Sequence, residues 1–104
     1  VRIAVVKQGA DGCIVCDDDG CRLVGGYPID VVDTTGAGDA FAAGLGVALA
    51  EWLPVNQALA FANACGALAC TRFGAQTSLP HRREVEAFLA DRGGVAGATV
   101  TPLA

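Results

Sequence analysis

Two hydrophobic patterns divide the chain into a first part that predicts strands and a second part that predicts helices. Short apolar runs at residues 2–6, 13–16 and 21–24 have the length and the β-branched content of strands. The acidic stretch at 17–20 predicts a tight turn, because Asp and Gly tolerate the backbone angles that such a turn needs. The last two runs therefore predict a hairpin, and residues 27–32 predict a further extended segment.

Helical spacing begins after a loop at residues 33–39. The first predicted helix spans about 40–52 and the second about 55–71, which is apolar on nearly every side and should be buried. A third helix is predicted over 81–92, followed at 93–104 by a small, aperiodic segment that predicts a flexible tail. Four apolar side chains fall on one face of the first helix: Phe41, Leu45, Leu49 and Trp52. Strands followed by helices are typical of a layered α/β fold.

Composition limits the function classes. The chain has 104 residues, enough for one small domain, and 53% of them are hydrophobic. This apolar share fits either a compact domain or a piece of a larger protein that covers the apolar surface. The net charge of -4 argues against nucleic-acid binding, which needs a basic face. The longest apolar run is too short to span a bilayer, and we find no signal peptide, so we expect a cytoplasmic protein without a membrane partner.

The five cysteines do not form a recognisable framework. An odd number is a poor basis for disulfide pairing. Cys13 and Cys16 have the spacing of metal ligands, but residues three apart in a strand point to opposite faces, and no second pair completes a zinc site. We therefore expect buried or half-buried thiols in a reducing compartment.

The loop before the first helix carries the candidate chemistry. It matches neither a Walker loop nor a dinucleotide fingerprint, because no Gly-Lys-Ser/Thr follows and Phe41 stands where the third glycine would be. The amides of Gly36, Ala37 and Gly38 can turn toward one anion at a helix N-terminus. Asp39 is either an acidic residue that stabilises the helix dipole or a general base beside a bound phosphate, and the residues alone leave both possibilities open.

Four segments resemble, in order and spacing, the ribokinase-like (PfkB) family of carbohydrate kinases. Residues 32–41 resemble its second signature, residues 5–12 the strand and turn before it, and residues 61–68 and 71–80 a later helix and loop. The resemblance implies that residues 1–92 are the C-terminal, nucleotide-binding part of a three-layer α/β/α domain. It also implies ATP-dependent phosphoryl transfer to a sugar hydroxyl, with Mg²⁺.

The resemblance also implies a role for individual residues. Asp39 would contact the sugar and deprotonate its hydroxyl, and the three small residues before it would form the anion hole. Asn63 would lie at the adenine pocket, although a polar side chain satisfied inside a buried helix is the alternative. The family often has Thr or Ser where this chain has Lys7. The residues expected to line the nucleotide are Lys7, Gln8, Gly9, Ala10, Asp11, Gly12 and Gly38.

The family is further associated with a monovalent cation, usually potassium, for which hard oxygen ligands are suitable. The alternative for Asp33 is a loop cap that bonds its own backbone. The implied oxygen donors are the side chains of Asp33 and Ser78 and the carbonyls of Thr35, Ala69, Arg72 and Gly74.

No segment matches the N-terminal half of the family, which holds the sugar-recognition region, the lid and a stretch linked to magnesium. We therefore expect the isolated chain not to phosphorylate a sugar, and the choice of sugar is not readable. The lid usually forms the dimer contact, so a homodimer is an expectation only for the full-length protein. The alternative function is a non-catalytic nucleotide-binding remnant or a partner-binding module.

Overall fold

The computed structural model describes residues 3–7, 11–71 and 80–103. Within them, one antiparallel sheet has the strand order β1-β2-β3-β4. Its strands are β1 (Ala4–Lys7), β2 (Gly12–Asp17), β3 (Gly20–Gly25) and β4 (Val100–Pro102). The helices are α1 (Ala37–Ala50), α2 (Val55–Ala69) and α3 (Arg82–Ala90), and a 3-10 turn follows at Val95–Gly97. The predicted order of strands, hairpin and three helices is confirmed.

The β2–β3 hairpin carries a disulfide that the sequence did not predict. Cys16 and Cys21 face each other across the hairpin and are bonded, with their Cα atoms 4.1 Å apart. The expectation of free thiols is wrong for this pair, because directly opposed residues of an antiparallel ladder lie close enough for a disulfide. The expectation of free thiols is correct for Cys13, Cys65 and Cys70. Within the described ranges, no cluster of His, Cys, Asp or Glu side chains could hold a metal ion.

The fourth strand lies in the segment for which the sequence predicts a flexible tail. Val100 is paired with Val24 of β3, and the amide of Gly25 donates to the carbonyl of Thr99 at 2.8 Å. The partners come from opposite ends of the chain, so local periodicity does not reveal the pairing. The segment therefore contains regular structure where its composition suggested none.

Residues 27–32 form no strand, in contrast to the extended segment that we predicted for the sheet region. The amides of Val32 and Asp33 instead donate to the carbonyl of Cys70, at 2.7 and 3.1 Å. This carbonyl lies just beyond the end of α2, where helix carbonyls lack intrahelical partners. The segment is thereby attached to the helical layer, next to the start of α1.

The core lies between the sheet and α2, and between α2 and its neighbouring helices. Residues 58–65 of α2 are all buried, as its apolar pattern predicted. Helices α1 and α2 approach closely at Gly44, where an added Cβ would lie 2.6 Å from Cys65 Sγ. Burial also raises the pKa of the Cys65 thiol to about 11. Helix α3 buries the predicted side: Val85, Phe88 and Leu89.

The predicted face of α1 is only half correct. Phe41 is buried and Leu45 is partly buried, but Leu49 is 43% exposed and Trp52 is 91% exposed. The helix ends at Ala50, and Trp52 follows in a turn with a left-handed φ of 64°. Trp52 lies beyond the helix end and no longer follows its spacing, so the stripe was wrong there; Leu49 lies in the last turn of α1 and is exposed as well. Among the described helices, none is long and apolar enough to cross a membrane.

Candidate functional site

The loop at residues 33–36 fixes the direction in which α1 begins. The carboxylate oxygen Oδ1 of Asp33 accepts the amide of Thr35 at 2.9 Å, which closes a short turn. Gly36 then precedes the helix with φ of 82°, in the left-handed region that costs other residues about 1–2 kcal/mol. Helix α1 begins at Ala37, three residues before the predicted start, because the glycines hid its first turn from helical periodicity.

Not every amide of the predicted anion hole is open in the structure. The amide of Ala37 donates to the carbonyl of Thr34 at 3.2 Å. Within the described residues, no backbone acceptor engages the amides of Gly38 and Asp39, which lie in the first turn of α1. These two amides are therefore the donors that remain for an anion at the positive end of the helix dipole.

Asp39 presents its carboxylate to solvent. The residue is exposed, and in the described part of the chain no ion pair or side-chain hydrogen bond engages it. Its position in the first turn suits the dipole-stabilising role. Its exposure also leaves it accessible to a second substrate, so the geometry is compatible with both interpretations.

A cavity of about 490 Å³ opens beside this helix end. Four residues predicted to contact the nucleotide line it: Lys7, Gly12, Gly38 and Asn63. The opposite wall is made by residues of the 26–31 segment and by Gly66, Ala67 and Cys70 of the α2 end. The structure thus brings together residues that are far apart in sequence, in a space with the dimensions of a small-molecule site.

Asn63 is buried in this cavity wall and is only 8% exposed. Its amide nitrogen donates to the carbonyls of Val24 and Gly25, at 3.2 and 3.3 Å. Burial raises the pKa of the adjacent Cys13 thiol, and a hydrogen bond with Asn63 partly offsets that rise. Asn63 therefore lines the same cavity as Lys7, Gly12 and Gly38, and it has the internal hydrogen bonds that the alternative required; its role at an adenine pocket stays a prediction.

Lys7 ends β1 and directs its ammonium toward the first turn of α1. Its Nζ lies 5.3 Å from the centre of the Phe41 ring. A Cβ built on Gly38 would be 3.4 Å from the same nitrogen, so the ammonium lies against the Gly38 backbone. The sequence predicted Lys7 as a nucleotide contact but gave no indication of this contact with α1.

Tyr27 and Phe41 are members of the site that the sequence did not predict. Tyr27 lines the cavity, is 8% exposed and contacts the Phe88 ring edge-on, with the ring centres 5.6 Å apart. Burial raises the pKa of its phenol, and its hydroxyl has no hydrogen-bond partner within the described residues. Phe41 was predicted as a member of a helical stripe and as the last residue of the 32–41 segment, without a role of its own. In both cases the sequence gives the residue type but not the residues that pack against it in the fold.

The predicted cation ligands can be located only in part. Asp33 and Thr35 lie in the loop whose amides bond the carbonyl of Cys70, the residue that follows Ala69. The Asp33 carboxylate and the carbonyls of Thr35 and Ala69 are oxygen donors, the ligand type that an alkali cation prefers. The predicted Arg72, Gly74 and Ser78 lie outside the described residues, as do the nucleotide-lining Gln8, Gly9 and Ala10. The remaining member of that turn, Asp11, is exposed, and its carbonyl accepts the amide of Gly26 at 3.2 Å.

Comparison with known proteins gives a consistent result. Residues 1–82 match the pfkB family of carbohydrate kinases. The chain is 49% identical over 94 residues to an ATP-dependent ribose-1-phosphate kinase of Halopiger xanaduensis, a match that covers 88% of this chain and 30% of that protein.

Solved structures agree with this match. The ribokinase of Thermotoga maritima superposes with a TM-score of 0.84 at 39% identity, over 86% of this chain and 30% of that one. A double mutant of the fructokinase of Vibrio cholerae, solved with fructose, ADP and a potassium ion, gives a TM-score of 0.79 at 39% identity, over 86% and 31%. The chain therefore spans about 30% of the length of these relatives.

Proposed function

The chain belongs to the pfkB family of carbohydrate kinases, and we propose that it provides the nucleotide side of an active site that phosphorylates a sugar hydroxyl. One observation carries this proposal: the first turn of α1 meets the cavity that Lys7, Gly12 and Asn63 line. A helix N-terminus beside an apolar cavity can hold the phosphates and the base of one nucleotide. The fructokinase complex supports the proposal, since it contains ADP and a sugar.

In the proposed complex, ATP places its base in the cavity near Asn63 and its phosphates near the first turn of α1. Lys7 and Gly12, which line the cavity, lie along the ribose and phosphates. Asn63 acts on the base pocket mainly through β3, because its amide already bonds the carbonyls of Val24 and Gly25. The base then contacts a wall whose shape this side chain maintains.

Asp39 acts as the general base. As the sugar hydroxyl oxygen attacks the γ-phosphorus, its proton passes to the Asp39 carboxylate, and the bond from that phosphorus to the β–γ bridging oxygen breaks to release ADP. The amides at the start of α1 stabilise the charge on the transferred group, Gly38 and Asp39 more directly than Ala37, whose amide bonds Thr34. The exposure of Asp39 leaves room for the sugar on its outer side.

Two cations belong to the proposal. Potassium would be held by Asp33, by the Thr35 and Ala69 carbonyls and by donors from residues 72–78, and it would stabilise the loop that orients α1. Mg²⁺, when bound, supplies positive charge to the nucleotide phosphates. No described residue is assigned to Mg²⁺, and we place its protein contacts and the sugar site in the part of the family fold that this chain does not span.

The decisive experiment replaces Asp39 with Asn in the full-length kinase. Loss of a general base should lower kcat by about 10²–10⁴-fold, while ATP affinity stays near that of the parent, because the side chain keeps its shape. Asp91→Asn, which changes an exposed carboxylate at the end of α3, is the matched control and should leave kcat unchanged. Steady-state kinetics with a panel of sugars and calorimetry with ATP measure both quantities. Near-normal turnover of the Asp39→Asn protein would show that Asp39 is not the base.

The non-catalytic alternative is not favoured, because the relatives that the chain matches are carbohydrate kinases and the proposed base, Asp39, is present and exposed in the first turn of α1. A non-catalytic remnant would be free to lose this residue. We also propose a cytoplasmic location for the kinase, where ATP and small sugars are available.

A further inference from the structure

The ammonium of Lys7 lies in an unusual electrostatic position. It is packed against Gly38 in the first turn of α1, where the helix dipole is positive and repels a cation. Among the described residues, no carboxylate lies within ion-pair distance of its Nζ; the ion pairs there involve only Arg22 and Arg82. Two sources of positive charge therefore meet at one point, and no carboxylate of the described residues forms an ion pair with the ammonium there.

The contact with Phe41 explains how Lys7 is held there. An ammonium 5.3 Å from the centre of an aromatic ring is attracted to the ring face by about 0.5–1 kcal/mol at an exposed site. This attraction orients the side chain but adds no negative charge to the site. Lys7 is thus positioned in advance for an anion that must come from outside the chain.

We infer that Lys7 contacts the phosphoryl group that is transferred, opposite the open amides of Gly38 and Asp39. The inference rests on the proposed function and goes further, because it assigns the only lysine of the chain to the γ-phosphate rather than to the ribose or the α-phosphate. Gly38 supports this assignment, since it lies beside the proposed base and within reach of Nζ. A Thr or Ser at position 7 could offer a hydroxyl there, but not a full positive charge.

Nucleotide binding to the full-length kinase tests the inference without relying on catalysis. Calorimetry would compare adenosine, ADP and ATP on the parent, Lys7→Met, Lys7→Thr and Lys7→Arg. Loss of a charge-assisted hydrogen bond should lower the ratio of ATP affinity to ADP affinity about tenfold in Lys7→Met and Lys7→Thr, and Lys7→Arg should retain most of it. Arg83→Met, which removes one exposed positive charge from α3, should leave the ratio unchanged.

Amine labelling gives a second, independent measurement. Lys7 is the only lysine within these 104 residues, so mass spectrometry of the peptide that contains it can follow its acetylation and that of the kinase's α-amino group in one sample. ATP should slow acetylation of Lys7 more than ADP or adenosine does, and labelling of the α-amino group is the internal reference.

The possible results distinguish the assignment of Lys7 to the γ-phosphate from the proposed function. If the parent chain binds ATP but Lys7→Met lowers ATP and ADP affinity equally, the γ-phosphate assignment is wrong and the nucleotide site stands. The same conclusion follows if bound ATP leaves Lys7 fully reactive. If the parent binds no nucleotide at all, the proposed function itself fails at this site, and the assignment of Lys7 fails with it.

Discussion

Replacement of Gly44 by Ala tests whether the contact between α1 and α2 sets the geometry of the site. An added Cβ would lie 2.6 Å from Cys65 Sγ and 3.1 Å from Cys65 Cβ, distances that require one helix to move. Overpacking of this kind costs about 1–3 kcal/mol. Ala in place of Gly inside a helix returns about 0.5–1 kcal/mol, so the net change should range from near zero to about 2.5 kcal/mol of destabilisation.

The same helix provides a matched control. Gly46 lies half a turn further along α1, and a Cβ there would meet no atom within 4 Å. Gly46→Ala should therefore stabilise the chain by about 0.5–1 kcal/mol. The difference between the two variants, about 1–3 kcal/mol, isolates the steric term from helix propensity.

The assay is urea unfolding followed by circular dichroism at the helical band, with Cys65→Ala and the double variant included. Removing the sulfur should relieve much of the clash, so Gly44→Ala should cost clearly less in the Cys65→Ala background than in the parent. If Gly44→Ala proves as stabilising as Gly46→Ala, the helices do not approach as described. The placement of the first turn of α1 at the cavity that Asn63 lines would then lose its structural basis.

Two further predictions concern the hairpin and its attachment to α2. Asn63→Leu removes the donor that serves the carbonyls of Val24 and Gly25, and it should lower the free energy of unfolding by about 1–3 kcal/mol; an unchanged urea midpoint would contradict this. The hydrogen bond from Arg22 holds the pKa of Asp17 below its ordinary value of about 3.9. This hydrogen bond therefore stabilises the fold fully above a pH of about 3.9, the ordinary pKa of Asp. The stabilisation is lost as the pH falls through the lower pKa that Asp17 has in the folded chain. Asp17→Asn should remove this acid dependence from the melting temperature, and identical pH profiles for parent and variant would refute it.

Sequence patterns predicted the parts of the fold whose signal is local. The hairpin followed from the acidic turn between two apolar runs, and α2 followed from its uniform apolar composition. The pairing of β4 with β3 and the Cys16–Cys21 bond depend on register and on distant partners, so local patterns could not supply them. The end of α1 was misplaced because Trp52 continued the spacing after the helix had stopped.

The candidate site likewise has residues that the sequence predicted and a contact that it did not predict. Small residues before an acidic residue at a helix start predicted the phosphate loop on chemical grounds, and the family resemblance added Asn63 and the turn after β1. The approach of Lys7 to Gly38 depends on how β1 is placed against α1. Spacing along the chain does not give the distance between Lys7 and Gly38, so this contact could be identified only in the structure.

The exposure of Trp52 has a practical consequence for spectroscopy. It is the only tryptophan of the chain, and in the folded structure its indole is 91% exposed. Its fluorescence should therefore resemble that of indole in water both before and after unfolding, and it would be a poor monitor of stability. The same property makes it a sensitive reporter of contact. Any protein segment that covers the end of α1 should shift the emission to shorter wavelengths, and quenching by iodide should decrease at the same time.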